Sequence, residues 1–74
     1  MFTKELFGQR LLETRKLNHE TQTDLAQAID TVKSRISEIE HGKNTTTIEK
    51  LALICEHYKV SADYLLGLTD DPTK

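Results

Sequence analysis

The 74-residue sequence has little of the material that strand-rich or disulfide-linked folds use. It contains three glycines, one proline and one cysteine, and aromatic residues make up 5% of it. A single cysteine excludes an internal disulfide, and so few turn residues argue against a fold of strands and tight hairpins. A chain of this size forms one domain with a thin core, because it buries only about 60% of the surface that it exposes when unfolded. We therefore expect no deep catalytic cavity.

Long hydrophobic runs are also missing. The most apolar stretch is far shorter than a membrane span, and the N-terminal residues MFTKELFG lack the apolar region of a secretory signal. We therefore expect a cytoplasmic protein without a membrane partner. Cys55 lies among apolar residues in a helical pattern, so we interpret it as a small buried hydrophobe rather than a reactive thiol.

The charge balance is slightly acidic, with a net charge of −2, which counts against nucleic-acid binding. The charge is unevenly distributed, because residues 1–20 carry +1, residues 21–45 carry −1 and residues 46–74 carry −2. The acidic excess therefore gathers toward the C-terminus. A weakly basic face elsewhere is compatible with this pattern, with a modest electrostatic affinity for DNA.

Helix-start signals and apolar spacing predict three helices in the first part of the chain. The first runs from about Lys4 to Leu17, with Thr3 as its N-cap. The second begins at Thr21, which forms a capping box with the acidic residue three positions later. The third runs from about Val32 to His41, and Gly42 ends it.

Two further helices are predicted in the second part. Thr46 or Thr47 precedes the fourth, and Thr46 makes the better capping box with the acid three residues later. Ser61 caps a short fifth helix. We expect residues 1–68 to form the domain, and residues 69–74 to be a flexible tail or the start of a linker to a further domain.

The apolar spacing places one side of each helix in a common core. The residues expected to face inward are Leu6, Phe7, Leu11, Thr14, Leu25, Ala26, Ile29, Val32, Ile36, Ile39, Ile48, Leu51, Ile54, Cys55, Tyr58, Leu65 and Leu66. The opposite side of the third helix then holds only polar side chains. Periodicity alone leaves open whether that side is an ordinary solvated surface or a binding surface.

Two segments resemble the helix-turn-helix of the phage-repressor (Cro/C1, or XRE-like) family, namely TQTDLAQAI at 21–29 and ISEIEHGK at 36–43. The likeness extends from FGQRL at 7–11 to VSADYLLG at 60–67. It implies an all-α, lambda-repressor-like domain of five helices with a helix-turn-helix at about 21–42. It also implies a regulator, and specifically a repressor, that binds a palindromic operator through the major groove as a homodimer.

The resemblance also assigns roles to individual residues. Those that would contact base edges are Lys33, Ser34, Ser37 and Glu38. Those that would contact phosphates are Thr21, Gln22, Arg35, His41, Lys43 and Asn44. Arg15 with Glu40 would form a partly buried ion pair, Ala26 would allow the two helices to cross closely, and Gly42 would end the third helix. A dimer contact would come from Tyr64, Leu66 and Leu68.

The sequence departs from the family pattern at four positions. Asp30 stands where glycine is common, so a left-handed turn residue is expected there. Val32 replaces the usual hydroxyl cap, which leaves Thr31 as a substitute. Thr46 stands where proline is frequent and Glu20 where an apolar residue is frequent.

Two functions other than that of a simple DNA-binding regulator also fit this sequence. One alternative is an antitoxin that regulates its own operon and binds a toxin, and another is a protein-interaction module that has lost DNA binding. An enzyme is not expected, because the chain has no convincing catalytic constellation and no glycine-rich phosphate loop. The spacing of His19, His41, His57 and Cys55 does not suit a metal, and no cofactor or small-molecule ligand is predicted.

Overall fold

A computed structural model describes residues 1–74 and contains five helices and no strand. The helices are α1 (Lys4–Leu17), α2 (Gln22–Ala28), α3 (Lys33–Glu40), α4 (Ile48–Tyr58) and α5 (Ala62–Leu65). The predicted all-α fold of five helices is therefore confirmed. None of the helices has the length and hydropathy that a membrane crossing requires.

Hydroxyl side chains cap four of the five helices. Thr3, Thr21 and Ser61 accept hydrogen bonds from backbone N–H groups in the first turns of α1, α2 and α5, as predicted. Of the two caps predicted for α4, the preferred one, Thr46, is wrong and the other, Thr47, is confirmed. Thr47 accepts from the backbone N–H of the third helical residue, whereas Thr46 lies one residue too far from the first turn.

The start of α3 also differs from the prediction. Val32 is its N-cap, and no side chain, including that of Thr31, forms a capping hydrogen bond. Val32 and His41 are thus the caps of α3 rather than its terminal residues.

The core lies where α1, α2 and α3 meet α4 and α5. Its buried hydrophobic residues are Phe7, Leu11, Leu25, Ala26, Ile29, Ile36, Ile39, Ile54, Tyr58, Val60 and Leu65. The expected inward positions of Val32 and Ile48 are wrong, since their exposed fractions are 63% and 83%. Each stands at the beginning of a helix, where the chain enters from outside the core, so the spacing does not bring it inside. Cys55 is half-buried against the core, and burial raises the pKa of its thiol.

A glycine inside α1 allows that helix to approach α3 closely. A Cβ built on Gly8 would lie 2.1 Å from the carbonyl oxygen of Ile39 and 3.1 Å from that of Glu40. No side chain fits at this distance, so only glycine permits the observed crossing. Gly8 belongs to the FGQRL segment, but no role was predicted for it from the sequence.

The chain beyond α5 returns to the body of the domain. Arg10 donates to the backbone oxygens of Tyr64 and Thr69 and forms a 2.7 Å ion pair with Asp70. The N–H of Ser61 donates to the carbonyl oxygen of Pro72 at 2.8 Å. Contacts with the domain therefore extend into the segment 69–74, and the flexibility expected for this segment stays a prediction.

Candidate nucleic-acid interface

The side of α3 that faces away from the core is polar. Ile36 and Ile39 are its buried residues, while Lys33, Ser34 and Glu38 are exposed and Ser37 is half-buried. These four polar residues, which we call the reading face, lie within an arc of about 140° because successive residues are 100° apart. An α-helix with its side chains is about 10–12 Å in diameter. The major groove of DNA, about 12 Å wide, admits a helix of this diameter.

The C-terminal end of α3 is closed by a Schellman motif. The N–H of Gly42 donates to the carbonyl oxygen of Ile39 at 3.0 Å, and the N–H of Lys43 donates to that of Glu38 at 3.0 Å. Gly42 has φ +75°, a left-handed conformation that glycine adopts without a Cβ penalty. The predicted stop at Gly42 is therefore confirmed. The motif turns the chain back alongside the last turn of α3.

An ion pair joins α1 to the end of α3. Arg15 Nε donates to Glu40 Oε2 at 2.8 Å, and Arg15 Nη2 donates to Glu40 Oε1 at 3.1 Å. The two side chains are only 10% and 3% exposed, so the pair is more deeply buried than expected. The hydrogen bond with Glu40 raises the pKa of Arg15 above its ordinary value. This bidentate geometry fixes the direction of α3 relative to α1.

Gln22, the first residue of α2, binds to the same carboxylate. Its Nε2 donates to Glu40 Oε1 at 2.9 Å. The start of α2 is further ordered by the capping box of Thr21 and Asp24, and the backbone hydrogen bond at Thr21 lowers the pKa of Asp24. Glu40 therefore joins α1, α2 and α3 at one buried point. Ala26, predicted at the crossing of α2 and α3, is buried.

A second polar cluster, which the sequence did not reveal, lies beside this ion pair. Glu20 accepts from Tyr58 Oη at 2.8 Å and lies 2.9 Å from His57 Nε2, while its backbone oxygen accepts from Arg15 Nη1. Burial, with the hydrogen bond to Glu20, raises the pKa of Tyr58. The partners are 37 and 38 positions apart, so no local pattern could have shown the contact. The acid at position 20 thereby connects α4 to the segment before α2.

The turn between α2 and α3 is held by a lysine from α4. Lys50 Nζ donates to the backbone oxygens of Ile29 and Asp30 at 2.7 and 2.9 Å. Asp30 has φ +57°, so the left-handed turn residue expected there is confirmed. The lysine satisfies carbonyl groups that the end of α2 leaves without helical partners. This role of Lys50 could not be predicted from the sequence, because it depends on how α4 packs.

The local charge around the reading face is more basic than the net charge of the chain suggests. Residues 31–45 contain three basic and two acidic side chains. One of the two acids, Glu40, is buried and balanced by Arg15, which lies outside this segment. Glu38 is thus the one acid there without a cationic partner. Coulombic attraction to phosphates falls off over about 10 Å at 0.1 M salt, so the local balance matters more than the total.

The residues expected at phosphates are exposed or half-buried. Arg35 and Lys43 are exposed, and Asn44 is half-buried. His41 is exposed, and its Nδ1 lies 2.7 Å from the backbone oxygen of Ser37. Asn44 Nδ2 donates to Glu38 Oε1 at 3.2 Å, so this residue contacts a member of the reading face.

The three residues expected at a dimer contact differ in their surroundings. The ring of Tyr64 is covered by Arg10, whose guanidinium carbon lies 4.2 Å from the ring centroid. Leu66 is half-buried in a groove of about 230 Å³ that Phe2 and Ile48 also line. Leu68 is exposed. The structure therefore places Leu66 beside other accessible apolar side chains, whereas Tyr64 already has a partner within the chain.

Comparison with known proteins identifies the family. Residues 8–70 match the family model described as a helix-turn-helix domain. The chain is 39% identical over 67 residues to the uncharacterized HTH-type transcriptional regulator YobD of Bacillus subtilis, a match that covers 90% of this chain and 60% of that protein. This chain therefore spans less than two thirds of the length of that relative.

Solved structures give the same result. The P22 c2 repressor, solved in complex with a synthetic operator, aligns with a TM-score of 0.78 and 27% identity over 81% of this chain and 91% of that one. The N-terminal DNA binding domain of SinR from Bacillus subtilis aligns with a TM-score of 0.76 and 28% identity, over 84% and 91% of the two chains. YobD is named as a transcriptional regulator and the P22 protein as a repressor, so neither is named as an enzyme. The chain therefore belongs to the helix-turn-helix domain family, in its phage-repressor (Cro/C1, XRE-like) form.

Proposed function

We propose that this chain is a sequence-specific regulator that binds double-stranded DNA, and more narrowly a cytoplasmic repressor that binds a palindromic bacterial or phage operator as a homodimer. The observation that carries the proposal is the reading face, a polar surface on a helix whose other side is fixed in the core. A rigid helix with hydrogen-bonding side chains on its outer face suits direct contact with base edges.

The reading face supplies both donors and an acceptor. Lys33 donates to guanine O6 or N7, and Glu38 accepts from cytosine N4. Ser34 and Ser37 have hydroxyl groups that donate or accept, so they suit any base pair. An acid near phosphates lowers affinity, and Glu38 therefore contributes to binding only where its cytosine is present.

Phosphate contacts come from residues on either side of the reading face. Gln22 Nε2 carries two N–H groups, of which one donates to Glu40 and the other remains for a phosphate. Thr21, Arg35, His41 and Lys43 complete this set. These contacts orient the domain on DNA without reading its sequence.

We propose that the second copy contacts the groove at Leu66. Phe2 and Ile48 are exposed apolar side chains at this groove, and covering them removes apolar surface from water. Ile48→Lys should lower the affinity for the palindrome and leave the affinity for a duplex with a single half-site unchanged. Leu53→Lys is the control, because Leu53 is another exposed apolar residue of α4 but does not line this groove. An unchanged affinity of the Ile48 variant for the palindrome would place the dimer contact elsewhere.

The whole proposal is tested by selecting binding sites for the purified chain from a random pool of duplexes. We expect an inverted repeat with half-site centres about 10–11 base pairs apart. Affinity for the enriched duplex should fall steeply as salt rises, since cationic side chains release counterions from DNA. Failure to enrich any sequence at low salt would contradict the proposal and favour an interaction module with this fold.

A further inference from the structure

Asn44 lies directly beside the acid of the reading face. Its Nδ2 donates to Glu38 Oε1 at 3.2 Å, although the two residues are six positions apart and Asn44 is outside α3. The resemblance places this residue at a phosphate. Its observed partner is instead a side chain expected to contact a base.

The contact follows from the way α3 ends. The Schellman motif at Gly42 returns the chain over the last turn, and the hydrogen bond donated by the N–H of Lys43 ends on the backbone oxygen of Glu38 itself. The residue after Lys43 is thereby brought to the side of α3 that carries the Glu38 side chain. Asn44 is half-buried there, whereas Glu38 is exposed.

The contact orders the carboxylate without neutralising it. No lysine or arginine forms an ion pair with Glu38, and the amide of Asn44 is uncharged. Glu38 Oε2 makes no hydrogen bond within the chain, so it remains available as an acceptor. A lysine or arginine beside Glu38 would have offset the negative charge of the carboxylate and weakened its attraction for the amino group of a base.

We propose that Asn44 is a positioning residue that holds the Glu38 carboxylate in the orientation in which it accepts from cytosine N4. This proposal rests on the function proposed above. A long glutamate side chain that is already ordered loses less rotamer entropy on binding, which favours the cognate base. When the base pair is reversed, guanine takes the place of cytosine and presents the acceptors O6 and N7 at this position of the groove. A carboxylate that is held in place repels these acceptors, whereas a mobile one rotates away from them.

The test is a comparison of base preference at each position of the enriched duplex. Dissociation constants are measured for the unchanged chain, Asn44→Ala, Glu38→Ala and the double variant, on the enriched duplex and on duplexes with single base-pair changes. Glu38→Ala should remove the preference at one base pair. Asn44→Ala should weaken the preference at that same pair by about 2- to 10-fold, as expected when one side chain is no longer ordered beforehand.

Preferences at all other pairs should stay unchanged in Asn44→Ala, and the double variant should match Glu38→Ala at the affected pair. Lys43→Ala is the matched control, because loss of a phosphate contact weakens all duplexes about equally and lowers the salt dependence. The thermal midpoints of all five proteins show whether each variant is folded.

Two results would overturn the positioning role. One is a uniform loss of affinity in Asn44→Ala, with the base preference of Glu38 intact, which would make Asn44 a phosphate contact only. The other is an equal effect of Asn44→Ala in the presence and absence of Glu38. A chain that shows no sequence preference at all would contradict the proposed function itself, and so the two failures are distinguishable.

Discussion

At its N-terminal end α3 has no side-chain cap, whereas at its C-terminal end three separate contacts hold it. The N–H groups of Lys33 and Ser34 make no hydrogen bond within the chain, and Val32 beside them is exposed. The other end has the Schellman motif, the Arg15–Glu40 ion pair and the close contact with Gly8. The same helix therefore has one open end and one fixed end.

This difference indicates that the residues that stabilise the domain and the residues that recognise DNA lie on different parts of α3. The fixed end determines the direction in which α3 leaves the core, and the side chains that hold it there, Ile39 and Glu40, are buried. The side chains of the open end and of the reading face do not belong to the buried core, so the core does not restrict which residues stand there to match an operator. Changes at the fixed end should therefore alter folding strongly, and changes at the open end should alter it little.

The largest effect is expected from breaking the ion pair. Arg15→Ala leaves the Glu40 carboxylate buried without its cation, and this should lower the free energy of unfolding by about 3–5 kcal/mol in urea titrations. Lys16→Ala, an exposed neighbour on α1, should change it by less than about 0.5 kcal/mol. An Arg15→Ala, Glu40→Ala double variant should lose about as much as Arg15→Ala alone. Simple additivity of the two single losses would contradict the pair.

A smaller but still large effect is expected at the helix crossing. Gly8→Ala places a methyl group against the backbone of Ile39 and should lower the free energy of unfolding by about 3 kcal/mol, through overpacking. Helix propensity alone favours alanine by about 1 kcal/mol, so it predicts the opposite sign. Gln9→Ala on the exposed side of α1 is the control. Stabilisation by Gly8→Ala in thermal unfolding would show that α1 and α3 are not in close contact.

The smallest effect is expected at the open end, and it should be favourable. Val32 already has the extended backbone of an N-cap, so Val32→Ser should add a hydroxyl acceptor and raise the free energy of unfolding by about 1 kcal/mol. Val32→Ala provides no acceptor and should give no such gain. If both variants destabilise the domain equally, Val32 contributes packing that its exposure does not reveal.

The capping residues at the starts of most helices could be predicted from the sequence. The contacts that these helices make with distant parts of the chain could not. Thr3, Thr21 and Ser61 act within their own first turns, so sequence neighbours suffice to predict them. The choice between Thr46 and Thr47 was wrong because adjacent threonines give nearly the same local signal. Val32 was predicted inward because helical periodicity ignores where the core ends.

The candidate site likewise contains residues that could be predicted and contacts that could not. The family resemblance predicted which residues of α3 would face outward to form the reading face. It also predicted the ion pair between Arg15 and Glu40. It did not indicate that Gln22 binds that carboxylate, because this contact depends on how the start of α2 packs against the end of α3. Nor did it indicate that Asn44 contacts Glu38, because this contact depends on the direction of the chain after α3. The contact of Glu20 with Tyr58 lay equally outside sequence reasoning, because it joins distant segments.

The most direct test of this account is an NMR titration of the ¹⁵N-labelled chain with the duplex enriched by selection. We expect the largest amide shift changes at residues 33–38 and at Lys43 and Asn44, with much smaller changes around Gly8. That result would show that DNA meets the outer side of α3 and the residues that follow it, while the buried contacts of α3 with α1 are kept. Large changes confined to α1 and α5, with residues 33–38 unaffected, would contradict the account.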